Sequence, residues 1–230
     1  MTVAPRFIVD DSAKDPDADI WFAEPAGFTP IPLDLLIAPP ESSAARELRT
    51  AFAPFLDAAP GEVARQRFVA QVAEGQQLLA ALREIGTVHC SIGLHCDDIE
   101  TAGSGGRGQP LSSFLTLSWR HTTVSSRAAT AARAVASADG HMYVEYLELP
   151  CGPATFSQTV RTPSASSGLP QVPLLQIHAH LPHPDCKRMV VLTLSTTAVA
   201  RRDQYRAILK QIAETVSFDN PLEADTRAAR

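Results

Sequence analysis

The sequence predicts a single α+β domain built on a mostly antiparallel sheet of about six or seven strands flanked by helices. Several runs between residues 87 and 196 alternate apolar and polar side chains, which is the period of a strand. Other segments repeat apolar residues at helical spacing, and Pro- and Gly-containing turns separate the two kinds of segment. With 45% hydrophobic and 20% charged residues the chain falls in the range of globular domains. We expect the domain to cover residues 1–220, with a flexible tail at 221–230.

The N-terminal part of the chain is acidic and then rich in proline. Residues 10–19, DDSAKDPDAD, carry five aspartates and predict an acidic loop. The following stretch, WFAEPAGFTPIPLDLL, interleaves apolar residues with prolines. Because proline interrupts helices and is tolerated at sheet edges, this stretch predicts extended edge structure.

Four segments predict helices. The first starts at about Glu41, is capped by Ser42 or Ser43, and is expected to kink or end at Pro54. The second, from about 62 to 85, aligns an apolar stripe that predicts packing against a sheet, formed by Val69, Val72, Leu79 and Leu82. An alanine-rich helix is predicted over 126–139, and an amphipathic closing helix over about 201–216.

The strands fall into two groups. The run from Thr87 places apolar side chains on one face and His89, Ser91 and His95 on the other, and it is expected to pair antiparallel with the run that carries Leu115 and Leu117. The last third of the chain predicts a meander of antiparallel strands at about 142–149, 154–161, 173–181 and 188–196.

Charge and composition narrow the possible partners. The net charge of −5 and pI near 5.8 provide no general attraction to nucleic acid or to an anionic membrane, so neither is expected as a partner. The chain has no apolar run of about 18 residues and no basic start followed by an apolar stretch, so a cytoplasmic location is expected. Its four cysteines form no CxxC pair and are expected to be reduced thiols.

Residues 177–186, IHAHLPHPDC, contain three histidines and one cysteine. His178 and His180 fall on one face of a predicted strand, where two imidazoles could share a zinc ion. Zinc needs three or four ligands, so His183 or Cys186 would have to turn back, or His89 and His95 would have to arrive from another strand. The spacing of these residues matches no known metal-binding motif, which favours the alternative: a hairpin with PHPDCKR as its turn and with its polar residues on the open face of the sheet.

Two further stretches could suggest chemistry. Cys96 follows His95 and precedes two aspartates, but neighbours on a strand point to opposite faces, so His95 is not placed to activate Cys96. The glycine-rich GSGGRG at 103–108 lacks the Gly-Lys-Ser/Thr of a phosphate-binding loop and predicts a hairpin loop instead. The residues therefore predict no catalytic residue, no cofactor and no assigned metal ligand.

The C-terminal third carries a family resemblance, at GHMYVEYLELPCGPATF, QVPLLQIHAHLPHPDCKRMVVLTLSTT and DQYRAILKQIAETVSF. Over residues 140–220 the chain resembles uncharacterised actinobacterial proteins, and its order of strands and closing helix is similar to the PsbP-like α/β fold. The family pattern is apolar or neutral where this chain has His178, His180 and His183, which leaves a metal site specific to this chain open. The resemblance implies a non-enzymatic binding or assembly domain, a partner of a secretion or injection apparatus, and assigns a function to no single residue.

These observations lead to one leading hypothesis and two alternatives. We expect a cytoplasmic protein-interaction module, such as an adaptor, chaperone-like or assembly component, that has a protein partner and is not an enzyme. The first alternative is a metal-binding protein or metal-dependent hydrolase that uses His178 and His180 with His89 or His95. The second is a small-molecule carrier with its ligand between sheet and helices.

Overall fold

The computed structural model describes residues 8–9, 20–57, 60–96, 110–136, 140–164 and 171–219. The predicted acidic loop, the glycine-rich loop and the C-terminal tail lie outside these ranges. The described strands are β1 (Ile8–Val9), β2 (Ala23–Glu24), β3 (Phe28–Pro30), β4 (Thr87–Cys96), β5 (Pro110–His121), β6 (Tyr143–Leu149), β7 (Gly152–Arg161), β8 (Leu174–Pro182) and β9 (Arg188–Thr196). The helices are α1 (Leu33–Leu36), α2 (Ser43–Asp57), α3 (Glu62–Glu84), α4 (Arg127–Ala136) and α5 (Arg202–Glu214).

Seven of the strands form one antiparallel sheet in the order β3-β4-β5-β9-β8-β7-β6, and β1 pairs with β2 separately. The predicted fold class is therefore confirmed. The meander β6-β7-β8-β9 and the β4–β5 pair form as predicted, and the long-range pairing of β5 with β9 joins them. The proline-rich stretch supplies β3 at one edge of the sheet, followed by the single turn of α1.

One face of the sheet forms an aliphatic core beneath α5. Alternate residues of the central strands point to this face and are fully or almost fully buried: Leu115, Leu117, Leu175, Ile177, Ala179, Leu181, Val190, Leu192 and Leu194. Tyr205, Leu209 and Ile212 of α5 pack against them. The stripe predicted for the closing helix is thus the one that covers the sheet.

The opposite face carries α4 at one side and α3 at the other. The Thr155 hydroxyl of β7 donates to the Ala131 carbonyl of α4 at 2.8 Å, and α4 lies over β7 and β8. Near the other edge, Leu79 of α3 packs on Cys90 of β4 and on Leu33. Burial raises the pKa of the Cys90 thiol to about 11.

Two details of the helices differ from the prediction. The Ser42 hydroxyl accepts from the Ala45 N–H at 3.1 Å and caps α2 as expected, but α2 continues through Pro54 to Asp57. Pro54 cannot donate to the Thr50 carbonyl, but it lies in the last turn of α2, and the helix ends at Asp57. The predicted stripe of α3 does not pack on the sheet along its whole length: Leu79 is buried, whereas Val69 is 52% exposed. None of the helices in the described ranges is long and apolar enough to cross a membrane.

Candidate functional groove

A groove of about 710 Å³ lies on the face of the sheet opposite α5. Its floor is formed by the central strands β5, β9 and β8, and its main wall is formed by the last turns of α3. On this face α3 contacts β4, while α4 contacts β7 and β8. The strands between, β5 and β9, are left as a strip of sheet between the two helices.

The floor is lined by hydroxyl, amide and imidazole groups arranged in rows across the strands. Thr116, Thr193 and His178 stand side by side in one row, because Thr116 pairs with Thr193 and Thr193 pairs with His178. Ser195 and Gln176 pair in the next row. We call this the hydroxyl face, comprising Ser112, Phe114, Thr116, Ser118, Val191, Thr193, Ser195, Gln176 and His178.

The wall of the groove is apolar and partly open to solvent. Leu78, Leu82 and Ile85 of α3 line it, and Ile92 of β4 lies beside them. Leu78 is 58% exposed and Ile85 is 48% exposed. Apolar side chains of this size, left open above a sheet, are typical of a surface that binds something.

Arg120 is the one charged residue among the lining residues that the structure describes, and no aspartate or glutamate accompanies it. Arg120 follows Ser118 along β5 on the same face and lies at one end of the groove. Its side chain is exposed and makes no hydrogen bond or ion pair with another described residue. The groove therefore has a positive charge at one end that is available to a carboxylate.

His178 belongs to the hydroxyl face, and His180 is the next residue along β8 on the same side of the sheet, with the two ring centroids 6.0 Å apart. His178 Nδ1 is 2.9 Å from the Thr193 hydroxyl, and His180 Nε2 is 3.4 Å from the Ser157 hydroxyl. Burial, together with neighbouring His141 and Arg161, lowers the pKa of His178 to about 4. Burial and the two other histidines lower the pKa of His180 to about 3. Both imidazoles are therefore neutral at physiological pH.

The histidines proposed to complete a metal site do not reach this pair. His89 pairs with Leu117, whose side chain lies in the α5 core, so His89 points away from the hydroxyl face. Its strand, β4, is separated from β8 by β5 and β9, and the same holds for the strand position of His95. Within the described ranges, no three His, Cys, Asp or Glu side chains are grouped so that they could hold a metal ion.

The hairpin interpretation of PHPDCKR agrees with the structure. His183 lies in the turn between β8 and β9, where its backbone N–H donates to the Arg188 carbonyl at 2.9 Å. Asp185 accepts from the Lys187 N–H at 2.8 Å, and Cys186 takes a positive φ of 59°. One part of the expectation is wrong: the sheet face is not open at His180, because α4 lies over β7 and β8 there, and only His178 borders the groove.

A second polar cluster lies in the α5 core, around the buried carboxylate of Glu24. His89 Nε2 lies 2.9 Å from Glu24 Oε1, and the Ser91 hydroxyl donates to the same oxygen at 2.5 Å. In a Ser-His-acid relay the imidazole stands between the hydroxyl and the acid. Here the carboxylate stands between the imidazole and the hydroxyl, and Ser91 is fully buried, so the arrangement is not such a relay. The cluster instead holds β2 against β4. The side chains of His95 and Cys96 lie outside the described set.

The sequence analysis did not identify the groove residues other than His178. The signal was present, because Ser112, Thr116 and Ser118 alternate with leucines along β5, and Thr193 and Ser195 do so along β9. This alternation does not predict that β5 pairs with β9, and it is that pairing which places the two sets of hydroxyl residues side by side.

Comparison of the chain with protein-family models, with curated proteins and with solved structures finds no match.

Proposed function

We propose that the protein is a non-enzymatic protein-interaction module that binds an amphipathic helix of a partner protein in the groove. The observation that carries this proposal is the groove over β5, β9 and β8 that lies between α3 and α4. The sequence led to the hypothesis of an adaptor or assembly component, and the groove is the surface that we propose for its partner.

The width of the strip suits a helix. Neighbouring strands are about 4.8 Å apart, and α3 lies over β4 whereas α4 lies mainly over β7, so the axes of the two helices are separated by roughly 17–19 Å. Packed helices lie about 8–10 Å apart, so one further helix between α3 and α4 needs about 16–20 Å. One helix laid along the strip would contact α3 on one side and the sheet below, in the manner of other helix-in-groove complexes.

The chemistry of the groove defines the partner helix. Leu78, Leu82 and Ile85 favour an apolar stripe on the side facing α3. The hydroxyls of the floor accept small or weakly polar side chains without leaving a buried charge unpaired. Arg120 favours an aspartate or glutamate at the end of the helix that lies next to it.

The test starts with native mass spectrometry of the protein purified from its own cell. We expect a near-stoichiometric complex with a protein, and a helical segment of that protein is then made as a peptide and titrated. The Ser195→Arg variant fills the floor of the groove and is expected to weaken peptide binding at least about tenfold, the loss that about 1.4 kcal/mol produces. Val124→Arg is the matched control, since Val124 is 76% exposed and does not line the groove.

A charge reversal supplies a second readout. Arg120→Glu is expected to weaken binding and to reduce its dependence on salt, because the positive end of the groove is lost. Three results contradict the proposal: no protein partner, equal binding by the Ser195→Arg variant, or a small-molecule mass in place of a protein. The last of these would assign the groove to a carrier.

A further inference from the structure

β6 forms the edge of the sheet that lies farthest from β3, and its outer side pairs with no other described strand. An edge strand presents a row of backbone donors and acceptors that can pair with another chain. β6 contains no proline, lysine or arginine, the residues that commonly block such pairing. On the α4 side it presents two exposed apolar side chains, Tyr146 at 59% and Val144 at 42% exposure, and the exposed carboxylate of Glu148.

The sequence of β6, YVEYLEL, is compatible with pairing to itself. Two copies related by a two-fold axis perpendicular to the sheet pair antiparallel, with one residue facing its own copy at the centre. With Tyr146 at the centre all seven residues pair, Glu145 faces Leu147, and Glu148 faces Val144. With Glu145 or Glu148 at the centre, two like charges face each other, which destabilises the pair.

We propose that two copies of this chain associate through β6 in the register centred on Tyr146, so that the two seven-stranded sheets become continuous. The two Tyr146 rings then lie side by side on the α4 side of the joined sheet. A seven-residue strand pair buries less than the roughly 1,600 Å² of a standard interface, so we expect dissociation in the micromolar range. β6 is distinct from the groove, and the proposal is independent of the partner helix.

The first measurement is sedimentation equilibrium of the wild-type chain from low to high micromolar concentration. We expect a monomer–dimer equilibrium, and Tyr146→Lys is expected to shift it at least about tenfold toward monomer, because it places two ammonium groups opposite each other. Val124→Lys, an exposed change outside β6, is expected to leave it unchanged. Circular dichroism checks that each variant is folded.

A cross-link tests the register. Cα atoms of facing residues in an antiparallel pair are about 4.5–5.5 Å apart, within the reach of a disulfide. Tyr146→Cys is therefore expected to give an oxidised dimer whose peptide map joins the two substituted positions. Val144→Cys is the matched control, because its two copies would be about 14 Å apart in this register. A chain that stays monomeric, a dimer indifferent to Tyr146→Lys, or equal cross-linking at both positions would overturn the proposal.

Discussion

At the scale of single residues, the most unusual setting belongs to His178 and His180. Their pKa values are lowered to about 4 and about 3, chiefly by burial. His180 Nδ1 and both ring nitrogens of His141 are buried without a hydrogen-bond partner among the described residues. A proton added to His178 or His180 would create a buried cation with few acceptors, which explains why these two imidazoles stay neutral.

This setting predicts a loss of stability in mild acid. In the unfolded chain both histidines titrate near pH 6.5. The fold holds them neutral, so below that pH the unfolded state binds more protons and the free energy of unfolding falls. The free energy of unfolding falls as the pH drops from about 6.5 toward the folded pKa values. Above about pH 6.5 these two histidines do not change it.

Between about pH 7 and about pH 5 we expect a loss of roughly 3–4 kcal/mol for the pair, because at pH 5 both histidines are protonated in the unfolded chain but still mostly neutral in the fold. Urea unfolding over this pH range measures it. The double variant His178→Gln, His180→Gln is expected to flatten the dependence on pH. His121→Gln, at an exposed position, is expected to retain it; an unchanged slope in the double variant would refute the assignment.

At the scale of elements, Gly86 determines how α3 passes into β4. It has a φ of +89°, and its carbonyl accepts from the Trp119 N–H of β5 at 2.8 Å. A Cβ atom placed on Gly86 would lie 2.5 Å from the Trp119 carbonyl oxygen. A side chain would therefore meet both an unfavourable backbone conformation and a steric clash.

Gly86→Ala is expected to lower the free energy of unfolding by about 2–4 kcal/mol, since backbone strain and the clash act together. Gly140→Ala is the matched control. Gly140 has a nearly equal φ of +88°, but a Cβ placed on it would have no atom of the other described residues within 4 Å. That variant is expected to lose only about 1–2 kcal/mol from the backbone. Equal losses in chemical unfolding would show that contact with Trp119 is unimportant.

The elements also show how far one sequence predicts a fold. The period of apolar residues placed α3 within one residue of its observed end and identified β6 to β9, because local spacing records which face of an element is buried. It could not place β9 beside β5, since strand order depends on contacts between distant parts of the chain. The groove depends on the pairing of β5 with β9. The sequence shows its hydroxyl residues but does not predict that they lie together in one site. The predicted cytoplasmic location and the lack of a nucleic-acid partner stay predictions.

At the scale of the whole molecule, the two faces of the sheet have different compositions. The face under α5 is aliphatic and closed, whereas the central strands carry hydroxyl and imidazole groups on the face between α3 and α4. Consecutive residues of β9 alternate between the two faces. Leu194 is fully buried in the α5 core, and the next residue, Ser195, lines the groove.

This asymmetry predicts that stability and binding separate along a single strand. Leu194→Ala is expected to lower the free energy of unfolding by about 2–5 kcal/mol, the cost of a cavity in a closed core. Ser195→Ala removes one hydroxyl from a face in contact with solvent and is expected to change it by less than about 0.5 kcal/mol. Urea unfolding compares the two variants directly. If Ser195→Ala were as destabilising as Leu194→Ala, the hydroxyl face would be part of the closed core, and the groove would not be a surface available to a partner.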